Sequence, residues 1–166
     1  MATHLHPLSN YDVEAVPDAS NMEFVILVSE WNSEITSSLS SACVETLLKH
    51  GAQENKISVQ TVPGSFELST AAKWAAQVSW RRAVICLGCV VQGETRHFDF
   101  ICNAVANGLT QVAIETENPV IFGLLTTNNQ QQAIDRSGGK YGNKGVEAAI
   151  AAIKMLALQK NLQTHK

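Results

Sequence analysis

Ala83 to Asp99 reads AVICLGCVVQGETRHFD, and this stretch decides the fold. Ala83–Val91 is continuously apolar or small, the pattern of a strand buried on both faces of a parallel sheet. It runs directly into the polar turn Gln92-Gly93-Glu94-Thr95-Arg96-His97, which opens an amphipathic helix. One short arc therefore carries a glycine turn, a carboxylate, a hydroxyl, a guanidinium and an imidazole. All lie at the carboxyl end of a strand, where open α/β sheets bind their ligands.

The same alternation extends in both directions. Glu23–Ser29 (EFVILVS) reads as a first buried strand, and Lys56–Val62 as a second, more alternating one. Val120–Thr126 reads as the fourth. Between them lie helices. The first has Asn32 or Ser33 as cap, the inward stripe Ile35, Leu39, Ala42, Cys43 and Leu47, and a stop at Lys49-His50-Gly51. Others are predicted over Phe66–Val78 and His97–Thr116, and a short one capped by Thr127 or Asn128 ends at Gly138. A last helix spans Asn143 to about Leu158. Four strand–helix units with right-handed crossovers predict a flavodoxin-like three-layer α/β/α sandwich around a four-stranded parallel sheet of order 2-1-3-4. Val13–Val16 reads as a lone N-terminal strand at a sheet edge or added to a neighbouring subunit's sheet.

The 166 residues suit one domain over 22–160, preceded by an extension over 1–21 and followed by a tail over 161–166. A net charge of −3 leaves no basic stripe for a nucleic-acid backbone. No apolar run approaches the ~20 residues of a membrane helix, and MATHLHPLSNYD lacks the pattern of a secretory signal. A cytoplasmic location is expected. Cys86-Leu87-Gly88-Cys89 matches C-x-x-C in letters, but inside a strand its two thiols point to opposite faces. With Cys43 and Cys102 they read as small core residues in a reducing compartment. No spacing for a metal site and no G-x-S-x-G elbow occurs.

In the 2-1-3-4 order the first and third strands are neighbours, so Trp31 and His97 face one crevice. Trp31 either stacks on a planar heterocycle or packs over the sheet end. Glu67, in a first helical turn, either complements the helix dipole or accepts hydrogen bonds from a polyhydroxyl ligand. His97 either transfers protons near neutral pH or faces solvent at a helix start. Gly93 permits close backbone approach, and Thr95 with the helix start makes an anion site. Arg136, in the last turn of the fourth helix, suits the dipole there.

Taken together, these residues resemble the lumazine synthase family (6,7-dimethyl-8-ribityllumazine synthase) from about Phe24 to Leu158. The carriers are Trp31-Asn32, Val62 to Leu68 (VPGSFEL), Leu87-Gly88 through Gly93 to Asp99 (GETRHFD), Pro119 to Thr126 (PVIFGLLT), Gln132 to Arg136 (QAIDR) and Gly142 to Gly145 (GNKG). The resemblance implies roles. Trp31 stacks on a pyrimidinedione. Ser65, Phe66 and Glu67 hold a ribityl chain and ring, and backbone at Cys89, Val90 and Val91 meets the uracil edge. Glu94 and Thr95 contact a phosphorylated four-carbon substrate, and His97 shuttles protons. Phe122 and Arg136 come from the adjacent subunit, Arg136 on the phosphate, and Lys144 is a basic position near the same pocket. The implied reaction condenses 5-amino-6-(D-ribitylamino)uracil with 3,4-dihydroxy-2-butanone 4-phosphate in riboflavin biosynthesis, with no cofactor or metal. The implied partners are these small molecules and further copies of the chain.

The pattern departs from the family at three places. Gln92 stands where a basic residue is usual, Glu30 where arginine is common, and Arg96 is unusual beside the histidine. Arg96 is expected to restore part of the attraction for phosphate. The family is built on pentamers, some closed into icosahedral shells; the short loop Gly138-Gly139-Lys140-Tyr141-Gly142 resembles the shell-forming members. Outside this family, a receiver domain needs clustered acids after its first strand, where only Glu30 stands, and a flavin carrier needs a hydroxyl-rich phosphate loop there.

Overall fold

The computed structural model describes residue 9, residues 11–79 and residues 81–164. His4, His6 and His165 lie outside the described residues. Strands β1 (Glu23–Ser29), β2 (Ile57–Val62), β3 (Arg82–Val91) and β4 (Val120–Thr127) form one parallel sheet in the order β2-β1-β3-β4. Helices α1 (Ser33–Lys49), α2 (Leu68–Val78), α3 (His97–Thr116), α4 (Gln130–Asp135) and α5 (Lys144–Thr164) follow and flank the strands. The predicted flavodoxin-like sandwich and its strand order are what the chain forms.

Side-chain alternation along the two central strands builds two cores. Phe24, Ile26 and Val28 of β1 and Ile85, Leu87 and Cys89 of β3 pack with Leu39, Cys43 and Leu47 of α1 and Ala149 and Ile153 of α5. Val25, Leu27, Val84 and Cys86 pack on the opposite face with Leu68 and Ala72 of α2 and Val105 and Leu109 of α3. A strand covered on both sides is apolar through its middle, which is why Phe24–Val28 of β1 and Ala83–Val91 of β3 read as unbroken runs of apolar or small residues. Cys86 and Cys89 accordingly sit in different cores, both as free thiols. Burial pushes the Cys43 thiol up to about 12 and the Cys89 thiol up to about 11, so both stay protonated at neutral pH. At the edge of the sheet β2 is thinly covered, and Ser58, Val59, Gln60 and Thr61 are exposed.

Four local readings are corrected. Val13–Val16 is not a strand: Val13–Ala15 form a 3-10 turn, because the Asp12 carboxylate accepts the Glu14 N–H at 3.1 Å and closes the backbone locally. The cap of α4 is Asn129, whose side chain accepts from Gln132 N at 3.0 Å, because Thr127 still pairs with Val91 in the sheet. That helix ends at Asp135 rather than Gly138, and Ser137–Gly139 instead pairs antiparallel with Gly142–Asn143 as a small hairpin (β5 and β6). Gly138 and Gly142 take φ of 116° and 81°, backbone that glycine adopts without strain. Finally, α5 runs past Leu158 to Thr164, since Gln159-Lys160-Asn161-Leu162-Gln163 contains no glycine or proline to stop it. Residues 161–164 of the expected tail are therefore helical. Among the described residues no helix is long and apolar enough to cross a membrane.

The segment before β1 is tied to the end of α1. Tyr11 Oη and His50 Nε2 lie 3.0 Å apart, and the Ala19 N–H donates to the His50 carbonyl at 2.9 Å. His50 is buried, and that burial, with the adjacent Lys49 ammonium adding to it, lowers its pKa below the ordinary value. The fold therefore favours neutral His50, and the unfolded chain binds the proton more readily. This contribution is intact above the unfolded value of about 6.5 and is lost as pH falls below it. Thermal unfolding of wild type and His50→Gln between pH 8 and 5 should show the wild-type Tm falling more steeply below about pH 6.5. Parallel curves would contradict this account of His50.

Candidate functional site

The strand order places β1 beside β3 while their following helices lie on opposite faces. The chain after β1 and the chain after β3 therefore diverge, and a crevice opens between them. It encloses about 780 Å³. Trp31 and Asn32 line it from the end of β1, Gly64 to Glu67 from the end of β2, and Cys89 to Val91 from β3. His97, Phe100 and Ile101 line it from the first turns of α3.

Trp31 is 73% exposed, so it does not plug the sheet end; an indole face stands open to the crevice. Gly64 lies beneath it. A Cβ at position 64 would come within 2.9 Å of Glu67 Oε2 and 3.4 Å of Trp31 Cδ1, so the carboxylate and the indole converge over one glycine. Glu67 precedes α2 without making a side-chain capping bond, which leaves its carboxylate directed at the crevice rather than at the helix. Phe66 adds an exposed apolar flank. Ser65 is buried, and its Oγ is sealed from solvent with no hydrogen-bond partner; a Cβ on Gly88 would stand 2.8 Å from it.

On the opposite wall, Val84 donates to the Pro119 carbonyl at 2.8 Å and Gln92 to the Thr127 carbonyl at 2.8 Å, both toward β4. Peptide groups alternate along a parallel strand, so those of Cys89 and Val91 point the other way, toward the crevice. The turn that follows is exposed from Gln92 to His97. Thr95 Oγ1 accepts the His97 N–H at 3.4 Å, a local bond that starts α3 and presents the imidazole at the crevice edge. Gly93 has open space around it: a Cβ there would meet nothing within 4 Å. Burial raises the Cys89 and Cys102 thiols, the latter helped by the Asp99 carboxylate, which rules them out as ready nucleophiles at neutral pH.

Not every residue singled out in the sequence reaches this crevice. Trp31, Ser65, Phe66, Glu67, Cys89, Val90, Val91 and His97 line it. Glu94 and Thr95 sit on the exposed turn outside the lining, and Phe122, Arg136 and Lys144 are not part of it. Arg136 follows α4 and is held within its own cluster. Its Nη1 donates to the Tyr141 carbonyl at 3.1 Å and its Nη2 meets Glu147 Oε1 at 2.9 Å. Lys144 Nζ meets the other oxygen of that carboxylate at 3.0 Å. Two cations share one anion, so the cluster carries a surplus positive charge.

Some participants escaped the sequence reading. Phe100 and Ile101 line the crevice because they lie three and four residues after His97 on one helical face, a spacing that could have flagged them. Glu147 had no such signal, since only the tertiary fold brings it to Arg136. Asn32 carries a cross-strand bond that its letter did not announce: Nδ2 donates to the Cys89 carbonyl at 2.9 Å.

Residues 21–160 match the family model described as 6,7-dimethyl-8-ribityllumazine synthase. The chain is 59% identical over 150 residues to the 6,7-dimethyl-8-ribityllumazine synthase of Cytophaga hutchinsonii, covering 90% of this chain and 94% of that protein. It is 52% identical over 163 residues to the protein of the same name from Phocaeicola vulgatus, covering 98% and 97%. The match spans the sheet, the crevice and the Arg136 cluster alike, and the chain belongs to the 6,7-dimethyl-8-ribityllumazine synthase family.

Proposed function

We propose that this chain joins 5-amino-6-(D-ribitylamino)uracil to 3,4-dihydroxy-2-butanone 4-phosphate, releasing 6,7-dimethyl-8-ribityllumazine, phosphate and water, a transferase step in riboflavin biosynthesis. The observation that carries the reading is the convergence of Trp31, Glu67 and His97, from three different strand ends, on one crevice in a chain of this family.

The exposed indole of Trp31 stacks on the pyrimidinedione, an interaction worth about 1–3 kcal/mol for a planar base. Glu67 accepts hydrogen bonds from the ribityl hydroxyls beside Phe66 and Ser65; the sealed Ser65 Oγ leaves backbone as that residue's means of contact. The crevice-directed peptide groups of Cys89 and Val91, with Val90 between them, meet the uracil edge. Glu94 and Thr95 contact the phosphorylated substrate. His97 moves protons through imine formation, phosphate elimination, tautomerisation and ring closure. Holding two reactive substrates in register supplies most of the acceleration.

The phosphate half of the site comes from a neighbouring copy, which contributes Phe122, Arg136 and Lys144. The support is positional: these residues lie outside the crevice lined by His97 of the same chain, and Arg136 and Lys144 form a net cationic cluster. The assembly that follows is a cytoplasmic homo-oligomer of pentamers closing into an icosahedral shell. The short hairpin at Ser137–Asn143 supports that closure.

Mixing the purified protein with both substrates should develop the lumazine chromophore, and its absence would overturn the reading. His97→Ala should lower kcat by no more than about 10²–10⁴-fold, the range of a single proton-transfer group, with turnover still measurable. Complete loss in a folded variant would show that His97 does more than shuttle protons. Trp31→Ala and Arg136→Ala should each be impaired alone. Unfolding and refolding them together should recover activity above either parent, because mixed oligomers contain sites with both residues intact. No recovery would place Arg136 on its own chain's site or nowhere. Arg96 is exposed on the turn before α3, and its Nε lies 3.8 Å from Asp99 Oδ2. Arg96→Ala should raise KM for the butanone phosphate by about two- to fivefold at low salt, the effect of one exposed charge. An unchanged KM sinks the idea that Arg96 compensates for Gln92 and Glu30.

A further inference from the structure

The β1–β3 ladder ends at the pair Val28–Leu87, yet β3 continues to Val91 alongside β4. Beyond that pair, β1 follows its other neighbour, and Glu30 donates its N–H to the Val62 carbonyl of β2 at 2.9 Å. The β1-facing side of β3 thus loses its backbone partner at the floor of the crevice. One side chain replaces it. Asn32 Nδ2 donates to the Cys89 carbonyl at 2.9 Å, across 57 residues of sequence, and forms a last rung between the two strand ends.

The backbone is shaped to make this possible. Asn32 takes φ of 58° and ψ of 47°, the left-handed region that asparagine and glycine tolerate best. Its carbonyl accepts from Ile35 and Thr36 at 2.9 and 3.0 Å and so starts α1. An asparagine at a helix cap usually bonds its side chain to the first turn of that helix. Here it makes no such bond, and the amide is turned across the crevice instead. Trp31 is the adjacent residue, so the rung holds the indole at a set distance from the β3 wall. We infer that Asn32 is a positioning residue for the planar heterocycle: its bridge to the Cys89 carbonyl fixes the width of the slot between Trp31 and the end of β3. The bridge leaves the phosphate half untouched, because Arg136 and Lys144 are held by Glu147 in a separate cluster.

This inference rests on the proposed reaction, and its test separates the two. Asn32→Gly keeps the left-handed turn and removes the amide. Asn32→Asp keeps the shape and sets a carboxylate against a carbonyl oxygen. Steady-state kinetics with each substrate varied in turn would be run on wild type and both variants, with Tm recorded for each. The expected result is a rise of about tenfold in KM for the ribitylaminouracil, the effect of one lost hydrogen bond, in at least one folded variant, with KM for the butanone phosphate unchanged. In Asn32→Asp the defect should lessen on acidification, as the protonated carboxyl becomes a donor to Cys89. Equal changes in both KM values, no change in either, or loss of folding in both variants would reduce Asn32 to a structural residue and overturn the inference. Wild type that forms no lumazine overturns the proposed reaction and takes this inference with it, whereas active wild type beside unaffected variants overturns the inference alone.

Discussion

The pairing of β1 with β3 is the constraint on which the rest depends. Right-handed crossovers send the helix after β1 to one face of the sheet and the helix after β3 to the other. Two adjacent strands therefore end in chains that must part, and the gap between them cannot be filled by either. Trp31 and His97 are neighbours across that gap although 66 positions separate them in the numbering. Without the β1–β3 ladder, running from Glu23–Arg82 to Val28–Leu87, neither residue has a partner.

The same pairing sets the composition. Both central strands are buried on both faces, so their polar residues are pushed to the ends (Glu23 and Ser29 of β1, Arg82 of β3), and the groups facing the crevice come mostly from the turns beyond. This is why the chemistry of the chain is concentrated in short arcs just beyond strand ends, such as Glu30–Asn32, Gly64–Glu67 and Gln92–His97. It also explains the inert cysteines. A thiol inside β3 is desolvated whichever way it points, as Cys86 and Cys89 both are on opposite faces.

These rules made the sheet legible in advance. The unbroken apolar runs named the strands, the glycine after His50 stopped α1, and the alternation of strand and helix implied the order. Most of the crevice lining was legible for the same reason, because a residue at or just beyond the carboxyl end of a buried strand has one place to go. What escaped depends on contacts distant in sequence or on local competition. Thr127 looked like a cap but is held by Val91 in the sheet, which hands the cap to Asn129. Asp12 turned an expected strand into a 3-10 turn with one hydrogen bond. The cross-strand role of Asn32 follows from a left-handed backbone that the letter alone does not reveal, and Glu147 is joined to Arg136 only by the folding of α5 onto the hairpin.

On the reading proposed above, a phosphate would meet an Arg136 already held in its cluster. Arg136 is mostly buried, with a side-chain exposure of 13%, and both of its outer nitrogens already have partners. Glu147 is equally buried and is shared with Lys144. A buried carboxylate between two cations is satisfied in the isolated chain, so the arginine is preorganised rather than free, and its direction is set before any ligand arrives. A phosphate dianion brings more charge than the single carboxylate offers, and the pair of cations leaves one positive charge uncompensated for it to meet. The side chain then need not be ordered anew on binding, which removes part of the entropy cost of the contact. The constraint that places this cluster away from its own crevice is again topological. The hairpin that carries Arg136 and Lys144 is tied to α1, with Ser38 Oγ donating to the Ser137 carbonyl and Asn143 Nδ2 donating to the Ser38 carbonyl, and α1 packs on the opposite face of the sheet from α3, the helix that His97 opens.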